Sequence, residues 1–231
     1  MGCSQTRETP GPDERQRWVF TYSVDGDLRF LSHRDTLRMF HRALARAALP
    51  VRYTEGFNPH PRVSIPLPLP VGMASNAESI VVEFEQPVVG EAVVGELDRQ
   101  LPADIKMTGA RHLKPGERLQ PALARFRLDL GERSTTDVES RIRQILEAAS
   151  LKVERASRKD GQVRAIDVRP YLADMHADGN SVEFGLRVSG GRTAKPAEIA
   201  QVLGFEPGSI NHRIRRLEVY WEQAINGHTF S

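Results

Sequence analysis

Residues 18–49 read WVFTYSVDGDLRFLSHRDTLRMFHRALARAAL. The first seven of them are mostly aromatic and β-branched, a composition that favours a β-strand. Ser32 can then cap free N–H groups at the start of a helix, with Asp35 three residues later as its capping partner. Apolar residues recur at helical spacing from Leu37 onward, and Pro50 ends the segment. The stretch therefore predicts a strand followed by a helix with one buried face.

The residues after this stretch continue the alternation. The segment at 56–72 is rich in proline, and each proline removes a donor from a strand ladder. The segment therefore cannot be one continuous strand, and we expect a stiff extended loop that leads into a short strand near residues 63–65. A strand at 79–84, a helix at 89–101 and a strand at 105–113 follow. The first half thus has the order strand, helix, strand, strand, helix, strand.

The second half repeats this order. Its predicted elements are strands at 124–130, 151–153, 164–175, 182–188 and 214–221, and helices at 136–149 and 195–203. Two successive β-α-β-β-α-β units predict an α+β protein with tandem ferredoxin-like domains, the second with one extra strand. We expect a flexible tail at 1–16, an N-terminal domain at 17–120 and a C-terminal domain at 121–231.

Composition limits the chemistry that the chain can perform. It has 231 residues, a formal net charge of +2 and a single cysteine, Cys3. One cysteine cannot form an internal disulfide or a Cys-based zinc or iron–sulfur site. Because this cysteine usage fits a reducing compartment, we expect a cytoplasmic protein. No apolar run approaches the ~18 residues that suggest a membrane span, so we expect no membrane partner.

Several segments carry a family resemblance. They are residues 28–35 (LRFLSHRD), 40–44 (FHRAL), 49–50 (LP), 53–64 (YTEGFNPHPRVS) and 68–72 (PLPVG), with looser matches at 168–170 (VRP) and 213–216 (RIRR). Together they resemble the radical-SAM-linked proteins, a bacterial family of unknown function. The match is dense over residues 28–72 and looser from residue 73 onward.

The resemblance implies a biochemical context. Members of that family are often fused to, or encoded beside, a radical SAM protein with a cobalamin-type domain, and often lie near a ribonuclease of the E/G type. This chain has no cysteine triad, so it would hold no cofactor itself. An iron–sulfur cluster, SAM and cobalamin would be held by a radical SAM protein acting as its partner.

A basic stripe runs along the predicted first helix. It consists of arginines spaced four residues apart, which therefore share one face: Arg34, Arg38, Arg42 and Arg46. Like charges at this spacing repel by about 0.2–0.5 kcal/mol per pair, and only Asp35 is nearby. The stripe is either a phosphate-binding surface, since guanidinium groups bind phosphate bidentately, or a solvated face paired with carboxylates such as Glu55.

The segment GFNPHPR at 56–62 is a second candidate surface. Two prolines stiffen it, and function often concentrates on loops held by a rigid scaffold. Phe57 is either a platform on which a base stacks or a core residue, and the frequent burial of Phe favours the core. The substrate-binding candidates in this segment are Gly56, Phe57, Asn58, His60 and Arg62.

Two histidines are candidates for catalysis. Histidine side chains in general titrate near neutral pH and suit general acid–base chemistry, which makes His33 and His60 the candidates. If both faced one cleft, they could cleave RNA without a metal, by fold-level analogy with tandem ferredoxin-like proteins of CRISPR RNA processing. Otherwise His33 lies beside the helix cap and His60 is an exposed loop residue. Their spacing predicts no metal site.

A last basic group lies at the start of the final predicted strand. Strand alternation places Arg213 and Arg215 on one face and Arg216 on the other. His212 comes just before this group. These residues either extend the positive surface or flank an edge strand, where charge discourages aggregation. We favour the edge strand.

These observations leave three functional hypotheses open. We expect a non-catalytic accessory protein of a radical SAM enzyme that binds RNA or another phosphorylated substrate through its arginine-lined surface. One alternative is a metal-independent endoribonuclease that uses His33 or His60. The other is a purely structural partner of the radical SAM protein.

Overall fold

The computed structural model describes residues 16–132, 135–156, 161–206 and 210–222. Within them the chain is a mixed α+β protein with four α-helices and a large, mostly antiparallel sheet. The strands are β1 (Gln16–Val24), β2 (Val63–Ser64), β3 (Ala74–Phe84), β4 (Ile105–Leu113), β5 (Pro121–Asp129), β6 (Lys152–Ala156), β7 (Val163–Asp167), β8 (Leu172–Asp178), β9 (Ser181–Arg187) and β10 (Ile214–Trp221). The helices are α1 (His33–Arg46), α2 (Gly90–Gln100), α3 (Thr135–Glu147) and α4 (Pro196–Val202).

The predicted capping of α1 is confirmed. The Ser32 hydroxyl oxygen accepts a hydrogen bond from the Asp35 N–H at 3.2 Å, and the same hydroxyl donates to the Asp35 carboxylate at 2.6 Å. The helix buries Phe40, Ala43 and Leu44 against the sheet side of the first half. The capping pair therefore sets where α1 begins, and the apolar face sets how it packs.

The large sheet joins both halves of the chain. Its strands follow the order β4-β1-β3-β10-β5-β9-β8, and β2 pairs with β3 beside β10. The first half contributes the order β4-β1-β3-β2, and the second half contributes β10-β5-β9-β8. The halves meet where β10 runs parallel to β3, with Arg215 opposite Ala74 and Arg216 opposite Ser75.

Two clusters of buried apolar side chains support the sheet. One lies in the first half and includes Phe20, Tyr22 and Phe40, and the other lies mainly in the second half around Phe126 and Phe184. Leu69, in the proline-rich segment, packs against both clusters. The proline-rich segment thus lies over the junction between the halves.

The second half departs from the sequence-based expectation. The single strand expected at 164–175 is two strands, β7 and β8, separated by a 3₁₀ turn at Arg169–Tyr171. Pro170 lies in this turn and cannot donate to a strand ladder, which explains the interruption. β6 and β7 form a separate two-stranded sheet. Within the described residues, the second half therefore has six strands and the first half four, a difference of two where the sequence predicted a difference of one.

Two other expectations concern the ends of the chain. The expected edge strand at 214–221 is wrong, because β10 lies between β3 and β5 in the interior of the sheet. The expected tail at 1–16 lies outside the described residues, except that Gln16 is buried as the first residue of β1. In the described part of the chain, no helix has both the length and the apolar character that crossing a membrane requires.

Candidate functional site

The arginine stripe is exposed on α1, and two of its members are engaged with neighbouring residues. Arg38 forms an ion pair with Asp35 at 3.2 Å, and the hydrogen bond from Ser32, together with Arg38, lowers the pKa of Asp35. Arg46 donates to the side-chain oxygen of Gln100 at 3.1 Å and to its carbonyl oxygen at 2.5 Å. Arg46 therefore binds the end of α2, where carbonyl groups lack helical partners.

The other two members of the stripe have guanidinium groups without a partner among the described residues. Arg34 and Arg42 are exposed, and their side chains make no ion pair or hydrogen bond with any residue that the structure describes. Glu55, the carboxylate named in the alternative of a solvated, paired face, forms no ion pair with the stripe within the same residues. The repulsion along α1 is thus relieved at Arg38 and Arg46 and left uncompensated at Arg34 and Arg42.

The candidate loop is the tip of a hairpin, residues 52–62, that projects from β3. The Thr54 N–H donates to the His60 carbonyl at 2.8 Å, and the His60 N–H donates to the Thr54 hydroxyl at 3.0 Å. At the base of the hairpin, the Arg52 N–H donates to the Glu83 carbonyl at 2.8 Å, and the Glu83 N–H donates to the Arg62 carbonyl at 3.0 Å. Backbone hydrogen bonds therefore hold the 52–62 hairpin on the sheet.

The tip of the 52–62 hairpin presents an aromatic ring to solvent. Phe57 is fully exposed, so the expectation that it lies in the core is wrong. The hairpin's cross-strand hydrogen bonds stop at Thr54 and His60, and the residues beyond them project past the scaffold. Gly56 turns the chain there with φ +124°, a conformation that other residues rarely adopt. Asn58 is exposed beside Phe57.

A third histidine, His41, lies near both the hairpin and the arginine stripe. His41 lies in α1, where its Nε2 atom is buried and has no hydrogen-bond partner among the described residues. Burial lowers the pKa of His41, and the charge of the nearby His60 lowers it further. Arg38 precedes His41 by one helical turn and Arg34 precedes it by two, so the hairpin lies alongside the stripe. Arg62, by contrast, points back to Glu83 at 3.7 Å.

The two candidate catalytic histidines occupy different surroundings. His33 lines a cavity at the start of α1, and His60 is not among the residues that line it. His41, which His60 approaches, is eight residues and therefore about 12 Å further along the helix than His33. The described residues contain no group of three or more His, Cys, Asp or Glu that could hold a metal ion.

The basic residues at the start of β10 also differ from one another in burial and in pairing. Arg216 is buried, and its Nη1 donates to Glu78 of β3 at 2.7 Å. The Arg216 guanidinium also donates to the carbonyls of Leu67 and Pro68 at 3.0 and 3.2 Å. Arg215 pairs with Asp25 at 2.6 Å, while His212 and Arg213 are exposed. Arg216 thus stabilises the junction of the halves and does not extend a positive surface.

The buried pair lies next to the cavity that His33 lines. The cavity has a volume of about 20 Å³, and its polar walls are Tyr22, Arg29, His33, Thr36 and Glu78. Apolar residues complete the walls, among them Leu28 from the connection between β1 and α1, and Ile65 and Leu69 from the proline-rich segment. Burial, with the negative charge of Glu78, raises the pKa of Tyr22, so its hydroxyl keeps its proton.

Comparison with protein families identifies the chain's relatives. A family model described as an uncharacterized protein conserved in bacteria (DUF2344) matches residues 17–196. The chain belongs to this family. The match confirms a bacterial family without an assigned function, and the description of DUF2344 does not mention radical SAM enzymes. None of the curated proteins matches this DUF2344 sequence.

Sequence reasoning missed several residues of this DUF2344 site. It assigned no role in this site to four residues: Tyr22, Arg29, His41 and Glu78. It placed a fifth, Arg216, at the surface. Glu78 carried a visible signal, since its carboxylate lies two residues before the apolar run at 80–82. Arg216 carried none, because its partners are more than a hundred residues away along the chain.

Proposed function

We propose that this DUF2344 protein is a binding module for single-stranded RNA, formed by α1 and the 52–62 hairpin. The observation that carries the proposal is the pair of free guanidinium groups, Arg34 and Arg42, beside a hairpin that holds Phe57 in solvent. Guanidinium groups bind phosphate oxygens bidentately, which offsets the repulsion between neighbouring arginines. Phosphate contacts of this kind supply most sequence-independent affinity for nucleic acids.

The hairpin supplies the second element of single-strand recognition. Proteins that bind single strands combine a positive surface with aromatic rings on which bases stack. Phe57 fits this role because it is the exposed ring at the tip of a hairpin with backbone hydrogen bonds at its base. The same hairpin carries His60 and Asn58, which can donate hydrogen bonds to a phosphate or a base edge.

We further propose that the module is a non-catalytic accessory of a radical SAM enzyme. This rests on the resemblance of residues 28–72 alone. The chain would hold RNA, or another phosphorylated substrate, for a partner that carries the iron–sulfur cluster, SAM and cobalamin. With one cysteine, the chain cannot supply the thiolates of such a cluster itself.

We infer that the scaffold of this module is a pair of ferredoxin-like units. The equal strand orders support the inference, since β4-β1-β3-β2 and β10-β5-β9-β8 both correspond to fourth, first, third and second strands of a β-α-β-β-α-β unit. The β6–β7 hairpin would be an insertion in the second unit.

A charge-matched pair of variants tests RNA binding. We expect Arg34→Gln/Arg42→Gln to weaken binding of a short single-stranded RNA, measured by fluorescence anisotropy over a range of salt concentrations. Each lost phosphate contact should reduce the slope of log K against log salt by about 0.7. The control, Arg118→Gln/Arg143→Gln, removes two exposed arginines elsewhere and should keep the wild-type slope. Equal slopes in both variants would refute the proposed interface.

Co-purification tests the partner. The tagged protein, isolated from its native cell, should carry a radical SAM protein together with RNA. A radical SAM protein without RNA would favour the structural-partner hypothesis. RNA without a radical SAM protein would leave the RNA-binding proposal standing and would reject the partner.

A further inference from the structure

The cavity beside α1 presents polar atoms that the protein leaves unpaired. The Tyr22 side chain is 1% exposed, yet its hydroxyl makes no hydrogen bond to a described residue. Glu78 receives Arg216 on Oε1, and within the described residues nothing donates to its Oε2. Arg29 Nε is buried and also has no hydrogen-bond partner in the part of the chain that the structure describes. Tyr22 and Glu78 both line the cavity, so a group that enters it would satisfy these two oxygens, and Arg29, which also lines it, offers a buried donor beside them.

The chemistry of the walls limits what that group can be. A group that accepts from the Tyr22 hydroxyl and donates to Glu78 must be both acceptor and donor. Arg216 already offsets the charge of Glu78, and Arg29 adds a positive charge, so a cation is disfavoured. A volume of about 20 Å³ admits one group the size of a water molecule. A hydroxyl meets all three conditions.

The position of the cavity indicates where such a hydroxyl comes from. His33 is exposed and is also one of the cavity's walls, so the cavity reaches the surface at the start of α1. Arg34, the next residue, has one of the free guanidinium groups assigned above to phosphate. In a ribonucleotide, the phosphate and the ribose hydroxyls are close neighbours on one sugar. One nucleotide could therefore place its phosphate at Arg34 and its sugar at the cavity.

We propose that this cavity binds a ribose 2′-hydroxyl of the RNA ligand, between Tyr22 and Glu78, and so selects RNA over DNA. The 2′-hydroxyl is both donor and acceptor, and it is the group that distinguishes the two nucleic acids. The inference rests on the RNA-binding function proposed above. It adds a specificity element that the arginine stripe lacks, because phosphate contacts alone treat RNA and DNA alike.

Three ligands of one sequence test the proposal on the wild-type chain: single-stranded RNA, the matching DNA, and RNA methylated at every 2′-oxygen. RNA should bind about five- to tenfold more tightly than DNA, the equivalent of one hydrogen bond. The methylated RNA should bind no better than DNA, because its 2′-oxygen cannot donate and the methyl group exceeds the cavity.

A single substitution then assigns the selectivity to the cavity. Tyr22→Phe removes a hydroxyl that makes no hydrogen bond to a described residue, and it keeps the ring that packs edge-on against Phe40 at 4.9 Å. The variant should fold normally and should lose the preference for RNA while its affinity for DNA is unchanged. The control Tyr171→Phe, in the second half, should keep the preference.

The outcomes separate this inference from the function on which it rests. If wild-type protein binds RNA and DNA equally, the cavity holds only water and the inference is wrong, while the RNA-binding module remains. A preference for RNA that persists in Tyr22→Phe also rejects the inference. If the protein binds neither nucleic acid, both proposals fail.

Discussion

Arg216 Nη1 lies 2.7 Å from Glu78 Oε1, and the two side chains are only 3% and 1% exposed. The pair connects β10 with β3, where the two halves of the sheet meet. Arg216 also donates through Nη1 to the carbonyl of Leu67 and through Nη2 to the carbonyl of Pro68, in a segment where prolines cannot complete a strand ladder. One buried ion pair thus joins the two halves of the sheet to each other and to the proline-rich segment.

Removing one partner of this pair should destabilise the fold strongly. Glu78→Leu leaves the Arg216 charge buried without compensation, which typically costs about 3–5 kcal/mol of unfolding free energy. Glu78→Gln should cost less, because the amide oxygen can still accept from Arg216. Urea denaturation measures both. Arg99→Ala is the control, since Arg99 is 66% exposed in its pair with Glu96 and should contribute about 1 kcal/mol or less. A similar loss in Glu78→Leu and Arg99→Ala would contradict the assigned role.

Phe57→Ala should separate binding from stability. The ring is fully exposed, so its removal should leave the denaturation midpoint unchanged. Loss of one stacked base should weaken single-stranded RNA binding by about 1–3 kcal/mol. Val163→Ala removes an exposed apolar side chain on β7 and should change neither quantity. Unchanged RNA affinity in Phe57→Ala would exclude the ring as a stacking platform.

The surroundings of His41 predict a dependence of stability on pH. Burial and His60 lower the pKa of folded His41 below its ordinary value of 6.5. Between 6.5 and the lowered pKa, the unfolded chain binds a proton that the folded chain does not, so stability falls as pH falls. Denaturation from about pH 7.5 to about pH 5.5 should therefore show a smaller loss in His41→Gln than in wild type.

The histidine controls distinguish the two causes of this shift. His60→Gln should reduce the pH-dependent loss in part, because it removes the nearby charge and leaves the burial of His41 in place. His212→Gln, an exposed histidine outside this pair, should behave as wild type does. Identical pH profiles for wild type and His41→Gln would show that the His41 environment differs from the one described.

Two glycines should respond in opposite ways to substitution by alanine. Gly56 has φ +124°, so Gly56→Ala should strain the hairpin tip by about 1–3 kcal/mol and weaken RNA binding. Gly95 lies inside α2, and a Cβ there would meet open space, so Gly95→Ala should stabilise the protein by about 0.5–1 kcal/mol. Denaturation midpoints check both signs, and a stabilised Gly56→Ala would contradict the backbone argument.

Local signals in the sequence predicted much of the secondary structure. The bounds of β4 agree with the expected strand at 105–113, and the Ser32–Asp35 pair marks the start of α1. Such features depend on side chains within a few residues of each other. The prediction for Phe57 failed because it used the average burial of Phe, whereas this residue follows Gly56 at a hairpin tip beyond the last cross-strand hydrogen bond.

The sequence by itself determined the alternation of strands and helices and the arginine stripe of α1, because each of these features depends on residues that are close together along the chain. Only the tertiary structure decided the environment of β10, the burial of Arg216 against Glu78 and the approach of His60 to His41. These contacts join residues far apart along the chain. Their formation depends on which strands pair and which faces pack, and no local periodicity specifies that choice.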